Sequence, residues 1–436
     1  MWMTIVVVLG VAAQQGPMSL GDCINLALDK HPDLSIARTD VDTARVNLDS
    51  TRAGYLPSLS IESNHSYYFV GKRPSIYVDG SEVPYPQDAY DDDLHGMGLY
   101  LRQSIFDGLA YWYRPQKAHA QIEQAKAGVE DTKERVILGV VNAYYGLLGK
   151  KKSLEVFEQA LRLSMAQLEL ASERRKLGAA SSVDVSKAEL AVGEDRISVE
   201  RQKILVDKAI VDLRQAMGVG QDFPINIQDG PFLQPPDDLH QEVYSGHVLL
   251  RINRAAMEVA QQQVQIASSG WWPKVSAGIS YSRQDPEFYK VYSRFDELYH
   301  LSFWINFSYP IFEGFTTQAA VEGAELQAER VRKEGQKVKK DLEASLARST
   351  TQLMRLVEIK DIEKDNIRAA QRSLYLAQEQ YKLGRGTALE VRDAQLAVTR
   401  AKLNLIQTRY DLQLSLAAYH RSRGDLVKTY LHGDSP

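Results

Sequence analysis

The residues best suited to chemistry in this chain are two acidic side chains, Glu390 and Asp393, three positions apart. Residues at this spacing on an α-helix lie on the same face, so the two carboxylates would point to the same side. Together they could attract cations or bind a positively charged group. A solvated helix face explains the same spacing, and the residues alone favour that interpretation.

Motifs of enzymes and cofactor sites are missing from the sequence. It contains no Gly-x-x-x-x-Gly-Lys phosphate loop, no His-Glu-x-x-His and no Gly-x-Ser-x-Gly. The nine histidines are scattered singly without the spacing of metal ligands. The net charge of −4 does not suggest nucleic-acid binding. The sequence therefore predicts no enzyme activity, no cofactor, no metal and no nucleic-acid partner.

Cys23 is the single cysteine of the chain, which excludes an intrachain disulfide and a multi-cysteine metal site. Its position near the N-terminus fits either lipid acylation or packing as a small apolar residue. The preceding residue, Asp22, is unsuited to acylation, where a small residue is expected. Ile24 and Ala27 share a helical stripe with Cys23, so we expect the thiol to be buried in a helix contact.

An internal duplication organises the chain. Lys176-Leu177-Gly178 returns as Lys382-Leu383-Gly384, and Ile105-Phe106-Asp107-Gly108 returns as Ile311-Phe312-Glu313-Gly314, each 206 residues later. A repeat that keeps its register indicates two copies of one structural unit. The predicted divisions are a signal peptide at 1–15, a first repeat at 16–217, a linker at 218–238, a second repeat at 239–424 and a tail at 425–436.

The N-terminal segment from Ile5 to Ala13 is apolar but much shorter than the roughly 20 residues that a membrane-spanning helix needs. It is similar to the apolar core of a secretory signal, with Val11 and Ala13 as the small residues before the cleavage point, although a basic flank is missing. No other long apolar run follows. We therefore expect an exported chain without a transmembrane helix.

Long helices dominate the prediction because the stretches outside the strand-like segments are rich in Ala, Leu, Glu, Gln, Lys and Arg, the residues typical of long helices. The predicted helices cover 19–53 (with a break at His31-Pro32), 116–177, 182–217, 236–269, 316–383 and 387–423. Gly178 and Gly384 end the two longest, because glycine tolerates the left-handed conformation at that position. A seven-residue pattern of apolar positions indicates coiled-coil packing. It is carried by Val129, Val136, Val140, Leu147 and Leu154.

Four segments of about nine to eleven residues alternate between apolar and polar positions, the length that a tilted strand needs to cross a membrane. Four strands cannot close a barrel, and an open edge in lipid leaves each unpaired backbone group at a cost of several kcal/mol. The chain must therefore obtain further strands by oligomerising. Asp88 and the run Asp91 to Asp93 are expected in a loop between the first two strands, either solvated or bridging divalent cations to lipopolysaccharide.

Taken together, these residues resemble the TolC-type outer-membrane efflux protein family. The resemblance rests on Leu20 to Leu34, the Gly-aromatic-x-Pro segments at 54–57 and 270–273, the Ile-Phe-acidic-Gly turns and both hairpin tips. It implies a mainly α fold with a membrane β-barrel, in which helical hairpins form an α-barrel tunnel in the periplasm. Three chains would each give four strands to a twelve-stranded barrel in the outer membrane.

The resemblance also implies partners and a gate. A homotrimer would act as the exit duct of a tripartite efflux or type I secretion system, joined by a periplasmic adaptor to an inner-membrane pump of the RND or ABC type. Docking of the adaptor would involve Leu177, Gly178, Leu383 and Gly384, although ending a helix suffices to explain both glycines. The implied gate residues are Asp184, Tyr381, Arg385, Glu390 and Asp393.

In that gate, Glu390 and Asp393 would form two acidic rings that admit cations in preference to anions. Asp184 and Tyr381 would form a hydrogen bond that holds the closed state, with Arg385 as an additional ion-pair donor. An alternative is a secreted structural or adhesive coiled-coil protein of the cell surface, whose strands pack as a soluble sheet without a pore. The sequence does not specify the cargo.

Overall fold

A computed structural model describes residues 17–72, 76–78, 81–83, 90–229, 232–236, 239, 242–293 and 295–431. The predicted signal peptide at 1–15 and Asp88 lie outside the described residues. The chain divides into two compact units. The first draws on described residues within 1–40, 125–252 and 335–436, and the second on those within 41–124 and 253–334.

Nine α-helices are found in the part of the chain that the structure describes. They are α1 (Leu20–Lys30), α2 (Pro32–Ala53), α3 (Ala110–Lys176), α4 (Ser182–Met217), α5 (Val248–Ser268), α6 (Phe288–Ser293), α7 (Thr316–Lys382), α8 (Ala388–Arg423) and α9 (Leu426–Leu431). None of these helices is both long and apolar enough to pass through a lipid bilayer. The strands are β1 (Ser58–Val70), β2 (Ile76–Val78), β3 (Ser81–Val83), β4 (Tyr90–Asp107), β5 (Lys274–Asp285) and β6 (Tyr299–Ser308).

Most predicted helices have nearly the expected bounds, with two differences. Helix α3 begins at Ala110 rather than Gln116, where the Asp107 carboxylate accepts the Tyr111 backbone N–H at 2.9 Å, and it therefore includes Pro115. Helix α5 begins at Val248, well after the expected start near residue 236. The His247 imidazole Nδ1 accepts a hydrogen bond from the Leu249 backbone N–H at 3.2 Å, which caps this later start.

The core of the first unit forms around the heptad positions of α3. Val140 and Leu147 are fully buried, together with Leu213 and Met217 of α4. Cys23 of α1 belongs to the same cluster. Burial raises the pKa of its thiol to about 12, because the apolar surroundings disfavour the thiolate. The expectation that Cys23 packs as a small apolar residue agrees with this position.

The segment after α4 is held against this core. Gly218 adopts a left-handed conformation (φ 68°), and an added Cβ there would lie 2.7 Å from the Cα of His31. Residue 227 pairs with Met18 as an isolated parallel bridge. The Tyr144 hydroxyl donates to the carbonyl of Gln228 at 2.8 Å. These contacts fix the start of the predicted linker.

The second unit contains an antiparallel sheet of order β1-β4-β5-β6. Its strands have 13, 18, 12 and 10 residues, so all but β6 exceed the nine to eleven expected. Strand β4 begins at Tyr90 and pairs with β1 from Tyr90 to Arg102, which means that Asp91 to Asp93 lie in a strand and not in a loop. The same pairing places His65 opposite His95, so the expectation of isolated histidines is wrong.

One face of this sheet is apolar and exposed. Ile61 is 71% exposed on β1, and Phe303 and Ile305 of β6 are 72% and 76% exposed. Strands β1 and β6 each have a hydrogen-bonded neighbour on one side only among the described residues. The sheet therefore presents both an unsatisfied apolar face and two open edges.

Candidate functional site: the two helical tips

The two helical hairpins, α3–α4 and α7–α8, end in turns of the same construction. Gly178 and Gly384 have φ angles of 74° and 73°. After each glycine the next backbone N–H reaches back to the helix, from Ala179 to the Arg174 carbonyl at 2.7 Å and from Arg385 to the Gln380 carbonyl at 2.9 Å. This hydrogen bond satisfies a carbonyl that the helix end would otherwise leave unpaired.

A capping box starts the returning helix at each tip. The Ser181 hydroxyl accepts the Asp184 backbone N–H at 3.2 Å, and the Asp184 carboxylate accepts the Ser181 backbone N–H at 3.0 Å. Thr387 and Glu390 repeat the arrangement at 3.2 and 2.9 Å. Both acidic residues thus stabilise a helix N-terminus within their own hairpin.

The capping role changes the account of Asp184. Hydrogen bonds from the Ser181 side chain and backbone hold the pKa of the Asp184 carboxyl below its usual value, because they stabilise the carboxylate. Among the described residues, the hydrogen bonds of this carboxylate go to Ser181 and not to Tyr381. Between the described residues of one chain, Asp184 and Tyr381 form no hydrogen bond, and the expected tether stays a prediction.

Tyr381 instead contacts Arg174 of the other hairpin. The Arg174 guanidinium donates to the Tyr381 carbonyl at 3.1 Å, and its Cζ lies 4.6 Å from the centre of the tyrosine ring. This geometry combines a charge-assisted hydrogen bond with a cation–π contact. Arg174 was not among the residues expected to act at the tips.

A second connection between the hairpins is an ion pair of α8 with α4. The Arg392 guanidinium donates to both Asp195 carboxylate oxygens, at 2.8 and 3.0 Å, and to Glu194 at 3.3 Å. The Arg392 and Asp195 side chains are only 15% and 9% exposed. Burial by itself would lower the pKa of Arg392, but the hydrogen bonds and charges of Asp195 and Glu194 outweigh it and raise the pKa.

Further along, α8 is bonded to α3. The Gln395 side-chain amide donates to the Ala160 carbonyl at 3.1 Å, and Lys402 Nζ donates to Gln159 Oε1 at 2.9 Å. Gln395 is only 2% exposed, and its Oε1 has no hydrogen-bond partner. The second hairpin is thus held to the first by a buried guanidinium, a buried amide and a stacked arginine.

The expected gate residues fall into two groups. Asp184 and Tyr381 line a cavity of about 250 Å³ between the tips, together with Lys187, Glu194 and Arg392. Arg385, Glu390 and Asp393 are exposed and do not line that cavity.

Apolar side chains are also exposed at matching places on the tips. They are Leu177 and Leu383, 82% and 70% exposed, and Val183 and Leu389, 57% and 58% exposed.

Chemically, the tips offer charge, hydrogen bonds and apolar surface. Within the described residues, the groups of three or more potential metal ligands include none at the tips. Sequence analysis did not identify Arg174, Asp195 and Arg392. The duplication itself contained a signal for two of them. At the 206-residue offset Arg392 aligns with Ser186, and Asp195 aligns with Ala401, so these charged residues are not repeated in the other copy.

Comparisons with known proteins agree with this architecture. The family model described as "Outer membrane efflux protein" matches residues 23–219 and 239–424. CyaE of Bordetella pertussis is 24% identical over 321 residues, which cover 72% of this chain and 64% of CyaE. The chain thus matches slightly less than two thirds of that relative. TolC of Escherichia coli K12 is 21% identical over 402 residues, covering 87% of this chain and 77% of TolC.

Among solved structures, the Campylobacter jejuni CmeC outer membrane channel superposes with a TM-score of 0.80 at 14% identity, covering 93% of this chain and 86% of CmeC. At that identity the likeness shows the fold. The expected mainly helical fold with a four-stranded antiparallel sheet is confirmed, and so is the outer-membrane location. Members of the family are channel proteins rather than enzymes. With a family match over most of its length, this chain belongs to the outer membrane efflux protein family.

Proposed function

We propose that three copies of this chain form the exit duct of a tripartite efflux or type I secretion system. The observation that carries the proposal is the four-stranded sheet, with its exposed apolar face and its two open edges. In lipid, unpaired edges are costly, and joining the edges of three sheets would satisfy them in a closed barrel of twelve strands. The apolar face would then contact outer-membrane lipid.

The tips support a proposal for the partners. Leu177 and Leu383 expose most of their side chains beside Gly178 and Gly384, an arrangement suited to docking a periplasmic adaptor. That adaptor would connect the duct to an inner-membrane pump of the RND or ABC type. The duct itself would be a passive conduit, without a catalytic step and without a nucleic-acid partner.

The gate is proposed at the same tips, with Asp184, Tyr381, Arg385, Glu390 and Asp393 as its residues. Around a threefold axis, the exposed Glu390 and Asp393 would repeat as two acidic rings that favour cations. Asp184 and Tyr381 would act through the cavity that they line, where Arg174 and Arg392 already join the two hairpins. The Arg392–Asp195 and Arg174–Tyr381 contacts would have to change for the tips to separate.

We also propose that the two copies are the structural repeats 16–217 and 239–424, with 218–238 as the linker, 425–436 as the tail and 1–15 as a cleaved signal. The family model supports this division, because its two matched segments are separated by residues 220–238. The same family membership argues against a surface adhesin without a pore.

Assembly can be tested on the full chain purified in detergent. We expect a homotrimer by light scattering corrected for bound detergent, and retention of the protein in carbonate-washed membranes. A monomer that stays in solution without detergent would contradict the exit duct.

Ion selectivity tests the gate. Replacing Glu390 and Asp393 by alanine together should reduce the preference for cations of channels in planar bilayers, measured as the reversal potential in a salt gradient. The control is Glu358→Ala with Asp361→Ala on α7, another exposed acidic pair three residues apart. Equal reversal potentials for wild type and both double variants would exclude the acidic rings.

A further inference from the structure

Three potential metal ligands meet on the sheet of the second unit. His65 on β1 lies directly opposite His95 on β4. Asp93 precedes His95 by two residues and therefore projects from the same face of the strand. The two imidazole rings are stacked with centroids 4.5 Å apart and planes inclined by 22°.

The ligand atoms converge closely. His65 Nδ1 lies 3.1 Å from His95 Nδ1 and 2.9 Å from Asp93 Oδ1, and His95 Nε2 lies 3.4 Å from Asp93 Oδ2. Ligands about 2.0–2.2 Å from a tetrahedral zinc ion are separated from one another by roughly 3.4 Å. The cluster therefore already has nearly the spacing of a metal site.

A second observation favours a cation at this cluster. Asp93 Oδ1 is shielded from solvent and has no hydrogen-bond partner, although His65 Nδ1 is near. A buried carboxylate oxygen without a partner is costly. A metal ion bound by this oxygen, by His65 Nδ1 and by one of the two His95 nitrogens would give the oxygen a partner, since one ligand atom from each residue lies within 4.8 Å of the others.

The surroundings allow access on one side and hold the ligands on the other. Phe288 of α6 meets the His95 ring edge-on at 5.2 Å, and Tyr292 of α6 is hydrogen-bonded to Ser63 of β1. The His65 side chain remains 56% exposed. The buried Arg283 on β5 donates to the carbonyls of Lys290 and Val291, which offset its positive charge.

We propose that His65, Asp93 and His95 bind a divalent transition-metal cation of the Zn²⁺ class. Two imidazoles and one carboxylate suit this class, and the set leaves a fourth position for water. On β5, Asp285 lies opposite His95 in the strand register and adds negative charge at the same end of the sheet. The bound ion would clamp β1 to β4. This inference is independent of the trimeric duct and its gate.

Zn²⁺ titration of the full, untagged chain in detergent tests the site by calorimetry. We expect one Zn²⁺ per chain. His65→Ala and His95→Ala should each weaken binding by more than about 10- to 100-fold, since losing a ligand should cost more than the second-shell changes that typically have this effect. The matched control is His300→Ala, which removes an exposed histidine from β6 of the same sheet. Unchanged Zn²⁺ affinity in the His65 and His95 variants would overturn the proposal.

X-ray absorption of the Zn²⁺-loaded wild type provides a test that does not depend on folding of the variants. We expect a first shell that contains two imidazole nitrogens and carboxylate oxygen. A shell of oxygen atoms alone, or no zinc retained after dialysis, would contradict the site.

Discussion

The two helical hairpins are alike in their construction and different in how they are joined. Helices α3 and α7 both have 67 residues, and α4 and α8 both have 36. Each turn has a left-handed glycine and each returning helix has a capping box. At the 206-residue offset, however, Arg392 corresponds to Ser186 and Arg174 to Gln380. The residues that join the hairpins thus occur in only one copy.

This difference separates two kinds of stabilisation. The shared features act locally, since a glycine and a cap satisfy backbone groups within a single hairpin. The unshared residues act between hairpins, through the Arg392–Asp195 ion pair and the Arg174–Tyr381 contact. Duplication explains the stabilisation within each hairpin. Joining the two hairpins instead depends on contacts between residues that the duplication does not repeat.

The largest effect is expected for Arg392→Ala. It leaves the Asp195 carboxylate buried without its bidentate partner, which typically costs about 3–5 kcal/mol. Unfolding by guanidinium chloride, in detergent and at fixed protein concentration, measures this change in the free energy of unfolding. The control is Ser186→Ala, the exposed counterpart in the first copy, expected to change stability by less than about 0.5 kcal/mol. Similar small losses for both variants would show that the ion pair does not stabilise the junction.

A smaller, pH-dependent effect is expected at Glu134 of α3, which is buried, whereas its counterpart Lys340 on α7 is exposed. Burial raises the pKa of Glu134 to about 7; Arg421 opposes this, while Asp131, Glu130 and Asp425 add to it. Because the folded state holds this carboxyl in its neutral form, the fold is more stable below about pH 4.5 than at high pH by roughly 3 kcal/mol. This contribution is lost as the pH rises through 7.

Glu134→Gln should remove that loss, because the amide stays neutral at every pH. The variant should therefore be more stable than wild type at pH 8 and should show a smaller fall in stability between pH 5 and 8. Thermal melts across this range measure the difference, with Lys340→Gln as the control. Parallel pH profiles for Glu134→Gln and wild type would contradict the assignment.

The smallest effect should be the same in both hairpins. Ser181→Ala and Thr387→Ala each remove one capping hydroxyl, and each should cost about 1 kcal/mol. Equal losses in unfolding experiments would support two tips that are stabilised independently. A loss in one variant several times that in the other would mean that the caps also contribute to contacts between the hairpins.

Much of the fold was predictable from the sequence because its signals are local. Helix α4 was predicted with its observed bounds, since Ser181 and Gly218 mark its ends within a few residues. Strand β4 was predicted too short, because Asp91 to Asp93 have low strand propensity and only pairing with β1 extends the strand through them.

The candidate site was predictable only in part. The tip positions followed from the repeat and from the family resemblance, but the partners of Asp184 and Tyr381 did not. Arg392 and Asp195 are 197 residues apart in the chain, and no periodicity relates them. Similarly, His65 and His95 are 30 residues apart and meet only because of the β1–β4 register.

The sequence by itself determined the duplication, the lengths of the long helices and the turns that end them, because these depend on hydrogen bonds and side-chain spacing within a few residues. The tertiary structure decided which charges are paired, which histidines meet and which carboxylates cap a helix. Those outcomes depend on register and packing between distant segments, where burial makes an unpaired charge costly and selects the partner.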